Sequence, residues 1–114
     1  MFTLTITTHP VSASSAAPVH GRHALVVVSG ELDVATAPRL QAVLRDCAER
    51  GEHISMDLGR VRFIDGAGLR PLADADTRAR RQGRRFTIVS AARPVRRVMG
   101  LTDLRHLVQP AVTT

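Results

Sequence analysis

Residues 24–44 read ALVVVSGELDVATAPRLQAVL, and a change of period inside this stretch decides the fold class. The run ALVVVSG (24–30) is continuous, rich in β-branched residues and stopped by a glycine. That is the pattern of a strand covered on both faces. ELDVATAP then turns the chain. Thr36 stands where a helix needs an N-cap, and Pro38 falls in the first turn, where a missing N–H does no harm. Leu40, Val43, Leu44 and Cys47 follow at helical spacing, and Gly51 supplies the stop. A strand that hands over to a helix, and does so repeatedly, builds an α/β protein.

The alternation continues outward in both directions. HISMDL (53–58) places Ile54, Met56 and Leu58 on alternate positions, a strand; Gly59 then turns, and VRFID (61–65) is extended. Residues 66–83 read as a second helix, with Leu69, Leu72, Ala73, Asp76 and Ala79 on one face and Gly83 at its end. RRFTIVS (84–90) is a strand, and ARPVRRVMG (92–100) a short helix with Val95, Val98 and Met99 inward. LRHLVQ (104–109) reads as a weak last strand. Upstream, FTLTITT (2–8) alternates as a strand, and 9–23, rich in Ser, Ala, Pro and His, reads as a mobile loop. The expected order is β-β-α-β-α-β-α-β, in a mainly parallel mixed sheet with helices packed on it. The first strand need not be parallel. No repeat or boundary divides the chain, so residues 1–114 are expected to form a single domain.

Composition narrows the function. Hydrophobic residues make up 44% of the 114 and charged residues 23%, enough for a core without disulfides or metal. The aromatics are Phe2, Phe63 and Phe86 only, so the core must be aliphatic. Cys47 is the lone cysteine, no apolar run approaches a membrane span, and MFTLTITTHP lacks the features of a secretory signal; a cytoplasmic location is expected. The net charge is +6, and all 16 basic side chains are Arg. GC-rich codons account for that choice, and so would selection for bidentate contacts to carboxylate or phosphate.

Arg78, Arg80, Arg81, Arg84 and Arg85 crowd the end of the second helix, and Arg93, Arg96 and Arg97 add a second group. No aromatic interleaves them and no nucleic-acid signature appears. They read as a solvated face or a surface for an acidic protein, and direct nucleic-acid binding is not expected. His9, His20, His23, His53 and His106 show no metal-ligand spacing. Neither phosphate-loop nor dinucleotide fingerprints occur. No metal, cofactor or catalytic residue is expected, although the residues alone leave a Cys–His pairing of Cys47 open.

Two segments say more. One is Gly30-Glu31-Leu32-Asp33, followed by Thr36-Ala37-Pro38 and Leu40. The other is Phe63-Ile64-Asp65-Gly66-Ala67-Gly68-Leu69, preceded by Met56-Asp57-Leu58. In this order on a strand–helix frame they resemble the STAS domain family over roughly residues 24–108, with GLTDLRHLV (100–108) similar to its C-terminal segment. The freestanding length resembles the anti-sigma factor antagonists of that family. The resemblance implies partner switching in transcription regulation, without catalysis. The antagonist binds an anti-sigma factor that is also a serine kinase of the ATPase fold, and so frees a sigma factor. The kinase later releases itself by phosphorylating the antagonist at the start of the second helix. It also implies that partner-binding residues lie among Asp33, Thr36, Asp65, Gly66, Ala67, Gly68, Leu69 and Arg70. For Asp33 a local turn-capping role is an equal reading, and Thr36 reads first as a helix cap. No membrane partner is expected, and a homodimer is left open.

The chain departs from the family at the phosphoacceptor. Asp-Ser-Ser-Gly or Asp-Ser-Thr-Gly is usual, and here Gly66 and Ala67 carry no hydroxyl. Ala67 holds the acceptor position, so the switch is expected to be non-phosphorylatable. Either the antagonist stays in its binding form or is regulated by its concentration, or the domain is a STAS scaffold subunit of a larger complex outside a sigma pathway. Pro71 is a second departure, one turn into the helix, where it removes a hydrogen bond or distorts the turn.

Overall fold

A computed structural model of the chain describes residues 4–11 and 22–108. Its elements are β1 (Leu4–Pro10), β2 (His23–Leu32), α1 (Ala37–Glu49), β3 (His53–Ile64), α2 (Gly66–Gln82), β4 (Phe86–Ala91), α3 (Arg93–Met99) and a short 3₁₀ turn, Asp103–Leu107. The sheet order is β1-β2-β3-β4. β1 runs antiparallel to β2, while β2–β3 and β3–β4 are parallel. The expected mixed α/β architecture is therefore present, and the N-terminal strand is the exception to the parallel rule.

The β2 valines bury on one face only. Ala24, Val26, Val28 and Leu32 are buried, whereas Leu25 and Val27 are half-buried on the opposite face. The helices do not cover that second face, and the strand is less enclosed than a continuous apolar run implies. The covered face meets Leu40, Leu44 and Cys47 of α1, Leu72 of α2, and Val95 and Met99 of α3 in one aliphatic core. Each fully buried Leu, Ile or Met there contributes about 1.5–3 kcal/mol. Both expected helix stops hold, with Gly51 and Gly83 at positive φ.

Three boundaries move. His9 and Pro10 extend β1 and His23 opens β2, so the segment expected as a loop over 9–23 is narrower at both ends; 12–21 lie outside the described residues, as do 2 and 3 of the expected first strand. Gly59 does not turn the chain. β3 runs through it on a bulge: β2 advances from Val27 to Ser29 while β3 advances from Asp57 to Arg60, and Asp57 Oδ1 accepts the Gly59 N–H at 2.8 Å. A second bulge lies between Val61 and Phe63. The third change is at the C-terminus. Residues 103–107 form the 3₁₀ turn in place of the expected last strand, and only Val108 bridges Ile88; Gln109 lies outside the described residues. Thr102 accepts the Leu104 N–H at 3.1 Å and so starts a helical turn, and Leu104 and Leu107 pack inward at a spacing of three.

Candidate functional site

Parallel pairing of β2 with β3 brings their C-terminal ends side by side, with Leu32 opposite Ile64. The turns into α1 and α2 therefore start next to each other. Such a place, outside the carboxyl ends of parallel strands, is where open α/β sheets form crevices. The Asp65 N–H donates to the Leu32 carbonyl at 3.2 Å and ties the two turns together.

The first turn is held by its own polar groups. Asp33 Oδ1 accepts the N–H of Ala35 at 3.0 Å and of Thr36 at 3.1 Å. Thr36 occupies the N-cap position but its side chain makes no capping bond. Its hydroxyl donates to the Glu31 carbonyl at 2.7 Å and accepts the Asp33 N–H at 3.0 Å. Thr36 is only 6% exposed, so this hydroxyl braces the turn from inside. The expected side-chain cap is absent: the hydroxyl accepts the Asp33 N–H and donates to the Glu31 carbonyl, and so serves the turn and not the helix.

The second turn is closed by a side-chain cap. Asp65 is the N-cap of α2, and its Oδ1 accepts the Gly68 N–H at 3.0 Å. Gly68 is obligatory for a steric reason: a Cβ there would sit 2.3 Å from the Leu32 carbonyl oxygen. Gly66 meets nothing within 4 Å. Gly66 and Arg70 are exposed, Ala67 is half-buried, and Leu69 packs against the core. Pro71 sits inside a continuous α2 and does not break it. Lacking an N–H, it leaves the Ala67 carbonyl without its helical donor.

Between the two turns lies a groove of about 540 Å³. One wall is Val34, Ala37, Pro38 and Gln41; the other is Gly66, Ala67, Arg70 and Pro71. Of the residues singled out from sequence, Gly66, Ala67 and Arg70 line it, while Asp33, Thr36, Asp65 and Gly68 build the turns that shape it. Sequence reading missed Val34, Ala37, Pro38, Gln41 and Pro71 as walls. Val34 carried a readable signal: an apolar residue in a polar turn, outside any period, and it is 76% exposed. Phe63, 48% exposed, is a second bare apolar side chain just before Asp65.

Other candidates fall elsewhere. Arg78, Arg80 and Arg81 lie at the far end of the 17-residue α2, roughly 20 Å from its first turn. Arg80 pairs with Asp76 at 3.3 Å and hydrogen-bonds His106 at 2.7 Å, which pins the 3₁₀ turn to α2. Cys47 is fully buried, and burial above all pushes its thiol up to about 11, which keeps it protonated and unfit as a nucleophile. At the opposite end of the sheet, register places His23 beside His53. His23 Nε2 lies 2.7 Å from Ser55 Oγ, and His53 Nδ1 accepts the Arg85 N–H at 2.9 Å. Among the described residues no three His, Cys, Asp or Glu side chains gather as metal ligands, and no helix is long and apolar enough to cross a membrane.

A family model described as "Mlab, STAS domain" matches residues 15–109. The chain belongs to this STAS family. A crystal structure of an anti-sigma factor antagonist from Mycobacterium paratuberculosis is similar to it, with 26% identity over 95% of this chain and 88% of that one, and a TM-score of 0.73. The anti-sigma factor antagonist SpoIIAA in its unphosphorylated form shares the fold at 16% identity over 98% and 89% of the two chains (TM-score 0.69). So does the phosphorylated form of the Bacillus cell fate determinant SpoIIAA, at 17% identity over 95% and 92% (TM-score 0.67). A search of curated proteins finds no match. The structural relatives of this STAS domain are thus anti-sigma factor antagonists, and its groove is built on the two segments that carried the resemblance.

Proposed function

We propose that this STAS domain is an anti-sigma factor antagonist that docks a serine-kinase anti-sigma factor of the ATPase fold on the groove between the α1 and α2 N-termini, and so frees a sigma factor. The observation that carries this reading is the 26% identity, across 95% of the chain, with the Mycobacterium paratuberculosis antagonist. The site agrees with a role in binding. Its walls are mostly apolar, Val34 stands bare in solvent, and the lining holds no nucleophile and no carboxylate. In this reading the chain is a single cytoplasmic domain that acts by occupancy. Asp33, Thr36, Asp65 and Gly68 hold the docking turns in shape, Leu69 anchors the start of α2 to the core, and Gly66, Ala67 and Arg70 present the surface.

Ala67 separates this antagonist from a phosphorylation-controlled one. Neither it nor Gly66 offers an oxygen to a kinase, so release through phosphate at this turn is absent. A STAS scaffold subunit in a larger assembly is the second reading, favoured by the same missing hydroxyl.

Calorimetry against each serine-kinase anti-sigma factor of the host, with ADP and with ATP, tests the proposal. A dissociation constant of ~1 μM or tighter, about −8 kcal/mol, that survives ATP is expected. Failure to bind any of them refutes the sigma-pathway reading. Ala67→Asp places a charge in the groove and is expected to weaken the complex; unchanged affinity would remove this turn from the interface.

A further inference from the structure

The two edges of the sheet are guarded differently. β4, at one edge, is bridged at Ile88 by Val108 and hands over to α3. β1, at the other, has no strand on its outer side among the described residues. Edge strands are usually blunted by a charged side chain, a bulge or a proline, because their bare N–H and C=O groups are a template for another chain. LTITTHP holds no acid, Lys or Arg, and its pairing with β2 runs from Leu4 to Pro10 without a bulge. The proline comes only at the last residue of the strand.

The groups that this edge offers follow from the ladder. The Val11 N–H donates to the His23 carbonyl at 2.9 Å, and these two residues continue the register that pairs Pro10 with Ala24. Hydrogen-bonded and non-hydrogen-bonded positions alternate along an antiparallel pair. Thr5, Thr7 and His9 therefore turn their backbone groups toward β2, and Leu4, Ile6, Thr8 and Pro10 turn theirs outward. Of these four, Pro10 has no N–H to give. Ile6, opposite Val28, lies on the helix-covered face of the sheet yet is only half-buried, and Thr8, opposite Val26, is exposed. The helix layer stops short of this edge.

We propose that β1 pairs with β1 of a second copy of this chain, antiparallel, about a two-fold axis at Ile6. Among the described residues this register gives every outward N–H a carbonyl: Leu4 meets Thr8 of the second copy, Ile6 meets Ile6, and Thr8 meets Leu4. A slip that sets Leu4 against Pro10 loses donors. On the helix side Ile6 is covered by its own image, and on the open face Thr5 stands opposite Thr7 of the second copy, a pair that suits adjacent strands. No like charges meet. The contact is self-complementary and closes as a two-fold, and the outer edges of the joined sheet are the two bridged β4 strands. The residues that line the groove lie outside this ladder, so the dimer does not rest on the anti-sigma reading. A ladder this short buries less than about 1,000 Å², so the association is weak and reversible.

Sedimentation of the full chain between about 10 μM and 1 mM tests this, and the weight-average mass is expected to move from one chain toward two across that range. Amide exchange, followed by NMR at both ends of the range, locates the contact. The outward amides of Leu4, Ile6 and Thr8 are expected to slow about threefold or more at the high concentration, while those of Thr5 and Thr7, already bonded to β2, keep their rates. Thr8→Pro removes an outward donor and spares the β1–β2 bonds; it is expected to weaken the dimer about tenfold, and Thr8→Val, which keeps the N–H, to preserve it. A single chain at 1 mM, slowing confined to other amides, or a Thr8→Pro variant that associates as the unaltered chain does each overturns the proposal. The exchange measurement uses the unaltered chain, so it decides the matter even where Thr8→Pro fails to fold.

Discussion

The two ends of the β2–β3 pair spend their polar groups in opposite ways. At the carboxyl ends, Asp33, Thr36 and Asp65 close on their own backbone and leave an open, mostly apolar groove between them. At the amino ends, His23, His53 and Ser55 reach across strands, and His53 is only 6% exposed. Local polar satisfaction frees a surface, whereas long-range polar satisfaction locks an edge. The first arrangement suits binding and the second suits holding strands in register.

Substitutions sharpen this contrast. Gly68→Ala should have the largest effect, because a Cβ 2.3 Å from the Leu32 carbonyl oxygen forces backbone apart. Overpacking of this kind costs about 1–3 kcal/mol or more, and urea unfolding should show a midpoint drop of that size. His53→Ala should come next. It strands the Arg85 N–H that His53 Nδ1 now accepts, at about 1–3 kcal/mol by the same measurement, and it should leave partner binding at the far end intact. Asp65→Ala removes the α2 cap and should cost ~1 kcal/mol, with Asp65→Asn recovering most of it. Here binding should weaken as well, since the cap shapes a groove wall.

Acid should act on the histidine end first. Burial, followed by the charges of His53 and Arg85, holds His23 below its ordinary value of 6.5. Between that lowered value and 6.5 the unfolded chain binds more protons than the folded one, so stability rises with pH through this window and falls as the pH drops below 6.5. Denaturant midpoints from pH 7.5 down to 5 should decline, and His23→Gln should flatten the decline; an equal slope in both proteins would place the acid sensitivity elsewhere. The smallest effect belongs to Gly66→Ala, which meets nothing within 4 Å and should change stability by less than about 0.5 kcal/mol. Set beside Gly68→Ala, it tests whether one of the two glycines is steric and the other merely exposed.

Much of the fold was legible because its signals are local. The shift from the valine run to the spacing of Leu40, Leu44 and Cys47 marks β2 and α1, and Asp65 before Gly66 marks the start of α2. The losses are where another partner outbid the expected rule. The Thr36 hydroxyl went to the Glu31 carbonyl in place of capping α1, and Gly59 was absorbed into a bulge that exists only against β2. The 104–109 segment shows a third kind of miss: Leu104 and Leu107 fit a turn as well as a strand, and the Thr102 side chain decided for the turn. At the site, the motif residues were visible but the walls were not. Val34 and Pro71 become neighbours only when parallel pairing sets α1 beside α2, and His23 meets His53 by the same register.

The groove's walls also determine how little freedom the protein surrenders on binding. Five of its eight lining residues are Ala37, Pro38, Gly66, Ala67 and Pro71, none of which has side-chain rotamers to lose. Only Val34, Gln41 and Arg70 can be immobilised, at about 0.5–1.5 kcal/mol for each rotamer-rich side chain. A partner docked there as proposed would meet a slot whose side-chain ordering entropy was spent when the chain folded, which removes one part of the cost of association.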